Sequence, residues 1–250
     1  SSIGSNMLEY ANWKRSVESI WHYLPIYVAM GNHEALVNIF DDGSAWGISI
    51  DKFPFKTKSA ETIFSNNFVN PQNGPQSEDS AYYDPDKSKL NFPEYGESVY
   101  SYIYDNIAIV VLNSNYWYTP TKKMISEIGG NPHGYVMDNQ LLWFEKKINE
   151  LNSNSHIDHI FVTIHTPAFP NGGHAKDDMW YYGNNKIRPT VAGEPVNVGI
   201  IERRDELLDI MINKSDKVIA LLCGDEHNYS RMKLTKNTPI YPEGYKGKKL

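Results

Sequence analysis

The sequence predicts an α/β fold built on a mixed β-sheet, and three observations carry that prediction. Short, almost wholly apolar runs at 107–112, 160–164 and 218–223 have the length and composition of buried strands. Segments with apolar residues at helical spacing alternate with them, as in sheets covered by helices. Residues 99–104 face 107–112 across Asp105-Asn106, a turn pair, so a hairpin brings an antiparallel member into the sheet.

Taken in order, Trp13, Val17, Ile20, Trp21 and Leu24 recur at helical spacing, and Pro25 stops that helix. Residues 26–30 form a short apolar run ending at Gly31, which reads as a buried strand followed by a tight turn. From 40 to 98 the chain is rich in Asn, Pro, Asp, Ser and Tyr without strong periodicity. This is a long, loop-rich insertion over one edge of the domain, the kind of segment that serves as a lid or binding loop. Asp138 is placed to N-cap a helix carrying Leu141, Phe144, Ile148 and Leu151. Residues 160–164 end at His165, and 171–192 are irregular. Gly199 precedes a helix with Ile201, Arg204, Leu208, Met211 and Ile212, and 218–223 run into Gly224.

At 250 residues the chain suits a single domain over 1–250, and 40% hydrophobic with 22% charged residues excludes bulk disorder. The single cysteine, Cys223, excludes an internal disulfide and a cysteine-rich zinc module. A net charge of -6 argues against a broad basic face for nucleic acid or anionic lipid. No apolar run approaches the ~20 residues that span a bilayer, and no targeting signal is visible.

Chemistry gathers where the apolar runs stop. Residues 26–30 lead into Gly31-Asn32-His33-Glu34, 160–164 into His165-Thr166-Pro167, and 218–223 into Gly224-Asp225-Glu226-His227-Asn228-Tyr229. Ligands of α/β sheets collect at the carboxyl ends of strands. A lone histidine at such a place is usually a hydrogen-bonded structural residue, but three matched ends are hard to explain that way. Imidazole, carboxylate and amide oxygen together suit zinc, iron or manganese. His22, His133, His156 and His159 fall in helix or loop contexts and receive no role. Trp117 and Trp180 are candidates for a cleft rim.

At these residues the sequence resembles the calcineurin-like metallophosphoesterases, and within them the purple acid phosphatase branch. Gly31-Asn32-His33-Glu34 matches that family's G-N-H-[DE] element. His165, in Val162-Thr163-Ile164-His165-Thr166-Pro167, matches its lone histidine after a strand. Residues 224–231 resemble its G-H-x-H-x-Y-x-R element, with Asp225 in place of the first histidine. Tyr100-Ser101-Tyr102 through Leu112-Asn113-Ser114 and the segment Gln140-Leu141-Leu142-Trp143-Phe144-Glu145 resemble its connecting text. The family's D-x-H and G-D elements, which would precede Ser1, are missing. The resemblance therefore implies a four-layer αββα domain cut short at both ends.

The resemblance also implies roles. Asn32, His165 and Asp225 would bind one metal ion and His227 its partner, two transition metal ions (Fe, Zn or Mn) in all. His33 would reach the phosphate and protonate the leaving oxygen. Glu34 would hold the His33 ring, and His174 would contact substrate. The activity implied is hydrolysis of a small phosphate ester at a dinuclear metal centre. Two further readings stay open: a phosphoesterase-fold module that has lost catalysis and serves a binding or structural role, and a single-metal enzyme using Asn32, His165 and Asp225. That family branch is often exported.

Overall fold

The computed structural model describes residues 3–35, 59–90, 92–118, 130–170 and 172–236. Helix α1 (Ile3–Trp21) gives way to a turn before Pro25, as the proline requires. Its aromatic residues pack on one side. Trp13 meets Trp21 edge to face at 5.7 Å and Phe68 at 5.2 Å, beside a buried cluster of Tyr10, Met30, Ala35, Phe64 and Phe68.

Residues 26–30 join no strand among the described residues, contrary to the sequence expectation. A side-chain amide stands where a neighbouring strand would. The Val28 N–H donates to Asn70 Oδ1 at 3.3 Å, and Asn70 Nδ2 donates back to the Val28 carbonyl at 3.1 Å. The Tyr100 hydroxyl adds a second bond to that carbonyl at 3.0 Å. Tied at both backbone groups of Val28, the segment delivers Asn32 to the one-turn helix α2 (Asn32–Ala35).

Part of the insertion read at 40–98, residues 40–58 and 91, lies outside the described residues. The rest is more ordered than its composition suggests. Helix α3 (Ala60–Asn67) starts at Ser59, whose hydroxyl accepts the Thr62 N–H at 3.1 Å.

Strands β1 (Tyr100–Tyr104) and β2 (Ile107–Val111) form the expected antiparallel hairpin, with Tyr104 opposite Ile107 and Asp105 at φ 54° in the turn. Helix α4 (Asp138–Ser153) leads to β3 (His159–Thr163). A ribbon of β4 (Thr190–Val191) and β5 (Glu194–Pro195) precedes helix α5 (Ile200–Asn213) and β6 (Val218–Leu222). The sheet order is β1-β2-β3-β6, with β2, β3 and β6 mutually parallel and β1 antiparallel. It is therefore a mixed four-stranded sheet with flanking helices. Ala108, Val110, Ile160 and Val162 of the sheet share one buried core with Phe144 and Ile148 of α4 and Leu207 and Leu208 of α5. β6 is an outer strand of this sheet, which is why Ile219 and Leu222 are half exposed rather than buried as the sequence suggests. Among the described residues no helix is long and apolar enough to cross a membrane.

Helix α4 is capped differently from the sequence expectation. Met137, not Asp138, is the capping residue, and the Asp138 carboxylate is drawn away by the Arg203 guanidinium. The free N–H groups of Asn139 and Gln140 donate instead to the two oxygens of Glu78, at 2.9 and 3.1 Å. The insertion thus reaches across 61 residues to cap the central helix.

Candidate metal centre

The three parallel strands end at one edge, and the chain stays in register just beyond them. The Leu112 N–H donates to the Thr163 carbonyl at 2.8 Å, Ile164 N–H to Leu222 at 3.0 Å, and Gly224 N–H to His165 at 2.9 Å. These bonds lock Asn113-Ser114, His165-Thr166 and Gly224-Asp225 side by side.

Asn32, His165 and Asp225 converge there. His165 Nε2 lies 3.1 Å from Asn32 Oδ1 and 3.1 Å from Asp225 Oδ1, although these partners are 133 and 60 residues away in sequence. Glycine makes room for the ring. A Cβ at Gly31 would lie 3.0 Å from His165 Nδ1, and one at Gly224 would lie 3.2 Å from the same atom.

The other carboxylate oxygen faces a histidine that sequence reasoning passed over. Asp225 Oδ2 is 2.9 Å from His133 Nε2. The His133 and His165 rings stand perpendicular, 6.1 Å apart, about this one aspartate. His133 is 4% exposed and is held by its loop. The Gly134 N–H donates to the Ser114 carbonyl at 3.0 Å, and the Tyr181 hydroxyl donates to the His133 carbonyl at 3.1 Å. Thr166 Oγ1 lies 3.3 Å from His133 Nε2 and 2.8 Å from Ser114 Oγ. Gly134 sits at φ 87°, where a side chain would strike the Asp178 carbonyl at 2.8 Å. The His-Gly pair within a turn is the signal in the sequence that points to this loop.

Asp178 was missed as well. It is fully buried, and its Oδ1 is 3.9 Å from His133 Nε2. Burial opposes the charge on Asp225, yet hydrogen bonds from His133 and His165 prevail and hold its carboxyl well below the usual carboxylate range. Asp178, desolvated and beside that anion, is pushed up to about 9. Asp178 and Asp225 both adopt left-handed backbone, at φ 42° and 66°, a conformation that aspartate tolerates and that concentrates at functional sites.

The remaining predicted residues divide. His174 reaches the edge of the cluster, with Nδ1 3.7 Å from Asp225 Oδ2 and 3.1 Å from Asp177 Oδ1. Its loop is held by Glu226, another residue missed in the sequence, which accepts the N–H groups of Gly173 at 2.9 Å and His174 at 3.1 Å. His33 is exposed beside Asn32 on α2. Glu34 does not hold it: Oε2 of Glu34 accepts the Gly31 N–H at 2.9 Å. His227 is exposed and makes no hydrogen bond or ion pair with the cluster among the described residues. Two tight turns, Glu226 N–H to the Gly224 carbonyl and Asn228 N–H to the Glu226 carbonyl, both 2.8 Å, set Asp225 inward and leave His227 outside. Trp117 does not rim a cleft. It is buried against Phe92, and its backbone N–H donates to Glu61 Oε1 at 2.9 Å. Trp180 is half-buried over the Arg204 guanidinium.

The donor set fits a cation. One Nε2–H can serve two oxygens at equal distance only as a divided bond, whereas a divalent ion accepts an imidazole nitrogen, an amide oxygen and a carboxylate oxygen together. No protein-family model, curated protein or solved structure matches the chain.

Proposed function

We propose that this protein hydrolyses phosphate esters at a metal centre built on the carboxyl ends of its parallel strands, within a calcineurin-like fold. The observation that carries the reading is the equal approach of Asn32 Oδ1 and Asp225 Oδ1 to His165 Nε2, each at 3.1 Å. Asn32, His165 and Asp225 would hold one ion of a dinuclear pair. Bound there, the ions supply positive charge for phosphoryl oxygens and the acidity that makes water a nucleophile at neutral pH.

The protein's own groups do the rest. Asp225 stays charged between two histidines and keeps both rings aimed at the same point. His33 stands in solvent one residue from Asn32, free to carry a proton to the departing oxygen. His174, fixed through its backbone by Glu226, borders the place where a phosphoryl group would sit. The net charge of -6 is compatible with an anionic substrate because ions held by Asn32, His165 and Asp225 would offset the phosphate charge in place of basic side chains.

Steady-state hydrolysis of phenyl phosphate and p-nitrophenyl phosphate by the metal-loaded chain and its His33→Ala variant tests the reading. The variant is expected to keep its metal and lose about 10²–10⁴-fold in turnover. The loss should be larger on phenyl phosphate, whose poorer leaving oxygen depends more on the proton. Absence of turnover by the metal-loaded wild type on phosphate mono- and diesters would replace this reading with a phosphoesterase-fold binding module. The exposed position of His227 favours that second reading.

A further inference from the structure

Asp225 offers its oxygens in two directions. Oδ1 faces His165, while Oδ2 faces His133 at 2.9 Å and His174 at 3.7 Å. On the Oδ2 side stands Asp178, with its side chain fully buried. Neither of its oxygens meets a hydrogen-bond donor among the described residues, and Oδ1 points toward His133 Nε2 at 3.9 Å. One carboxylate already satisfies the polar side of His133, whose other ring nitrogen is buried without a partner among the described residues. A second carboxyl group, desolvated beside the first and given no donor among the described residues, must either keep a proton or have positive charge between the two. The ligand atoms of His133, Asp178 and Asp225 all lie within 4.8 Å of one another.

We infer that His133, Asp178 and Asp225 Oδ2 form a second divalent-cation site, with the Asp225 carboxylate bridging it to the ion held by Asn32 and His165. The inference rests on the metal-centre reading for the neighbouring ion but not on phosphate-ester hydrolysis. It moves the second seat away from His227, which lies outside the cluster. One imidazole and two carboxylates suit Mn²⁺, Fe²⁺ or Zn²⁺. Thr166 Oγ1 lies beside the His133 ligand atom at 3.3 Å. His174 and Asp177, joined at 3.1 Å, border the site on its less buried side. The left-handed turn at Gly134 is what lets His133 and Asp178 meet: a Cβ there would lie 3.0 Å from Thr166 Cγ2 as well as against the Asp178 backbone.

Equilibrium dialysis of the full chain against Mn²⁺ or Zn²⁺, with elemental analysis, counts the ions, and competition titration gives their affinities. The wild type is expected to bind two ions per chain. Asp178→Asn should weaken one of them by about 100-fold or more, as loss of a direct ligand exceeds the 10–100-fold typical of outer-shell changes. His165→Ala should weaken the other, and His227→Ala should leave both.

Thermal unfolding supplies a second readout. In chelator, Asp178→Asn should be at least as stable as wild type, because an amide there matches the shape of the side chain and leaves no charge to bury. Added metal should then raise the midpoint of wild type more than that of the variant. If Asp178→Asn does not fold, His133→Asn is read by the same dialysis and competition titration. Two ions bound with unchanged affinity in Asp178→Asn, or a single ion sensitive to His165→Ala alone, would overturn the inference. The single-ion result would leave the metal-centre reading standing. Two ions bound without ester hydrolysis would uphold the second site and overturn the hydrolytic reading. No bound ion at all would overturn both.

Discussion

The imidazole of His165 lies against the backbone of Gly31 so closely that a Cβ on that glycine would be 3.0 Å from both Cε1 and Nδ1 of the ring. Gly224 presses from another strand end, where a Cβ would stand 3.2 Å from Nδ1. The glycines that end two of the apolar runs therefore act as spacers for the histidine that ends the third. Gly31→Ala should push the ring away from Asn32 and Asp225 and weaken the ion at His165 by about tenfold, the lower end of what displaced ligand geometry costs. Gly224→Ala should do less, since its contact is looser. Zinc competition titrations on both variants, with circular dichroism to confirm folding, check the order of the two effects.

The Glu226 carboxylate grips the loop of His174 by two backbone N–H groups, and Gly172 lies so close that a Cβ there would be 2.1 Å from Glu226 Oε2. Glu226 is a positioning residue in this arrangement, since it acts through His174. Glu226→Ala should raise KM several-fold while leaving the metal content unchanged, and Glu226→Gln, which keeps one acceptor, should fall between. Equal losses in kcat and KM with altered metal content would assign Glu226 to the metal centre itself.

Much of this was legible in the sequence. The hairpin, α4, β3, α5 and β6 follow from apolar period and turn residues, because there the local pattern and the tertiary environment agree. Residues 26–30 look like a strand for the same reason, yet their partner is the amide of Asn70, which no periodicity announces. Helix α3 escaped notice because its buried side carries Glu61 beside Phe64, an acid where the pattern leads one to look for an apolar residue. Asn32, His165 and Asp225 stood out because each follows an apolar run, His165 directly and the other two after one glycine. His133, Asp178 and Glu226 did not, because they sit on irregular loops whose approach is set by single glycines and by backbone bonds to distant residues. His227 is the reverse case. Its motif position predicts a ligand, and the two tight turns around it direct Asp225 inward instead.

Asn70 ties the segment ahead of the site to the start of the sheet. Its side chain exchanges two bonds with Val28 and gives a third to the Glu97 carbonyl at 3.1 Å. Asn70→Ala leaves the Val28 N–H without its acceptor and should destabilise the chain by roughly 1–3 kcal/mol. Urea unfolding followed by tryptophan fluorescence measures this. The metal affinity at His165 should fall with it, because Asn32 sits four residues beyond Val28 on the released segment.

Glu78 carries the clearest pH dependence of the fold. It is fully buried and accepts four donors: the hydroxyls of Tyr83 and Tyr95 and the N–H groups of Asn139 and Gln140. Desolvation nevertheless outweighs those bonds and pushes its carboxyl from 4.5 up to about 7. Between these values the folded chain holds a proton that the unfolded chain has released, so stability is greatest below about 4.5 and falls as pH rises toward 7. At about 1.4 kcal/mol per pH unit, the contribution lost across that window is about 3 kcal/mol. Glu78→Gln mimics the protonated form and should remove this slope, leaving the variant nearly as stable as wild type at pH 5 and more stable than wild type at pH 7.5. Urea midpoints for both proteins from pH 4.5 to 7.5 isolate the residue, since the other carboxyls are common to both. A difference that stays constant with pH would mean that Glu78 is ionised throughout and caps α4 as an anion.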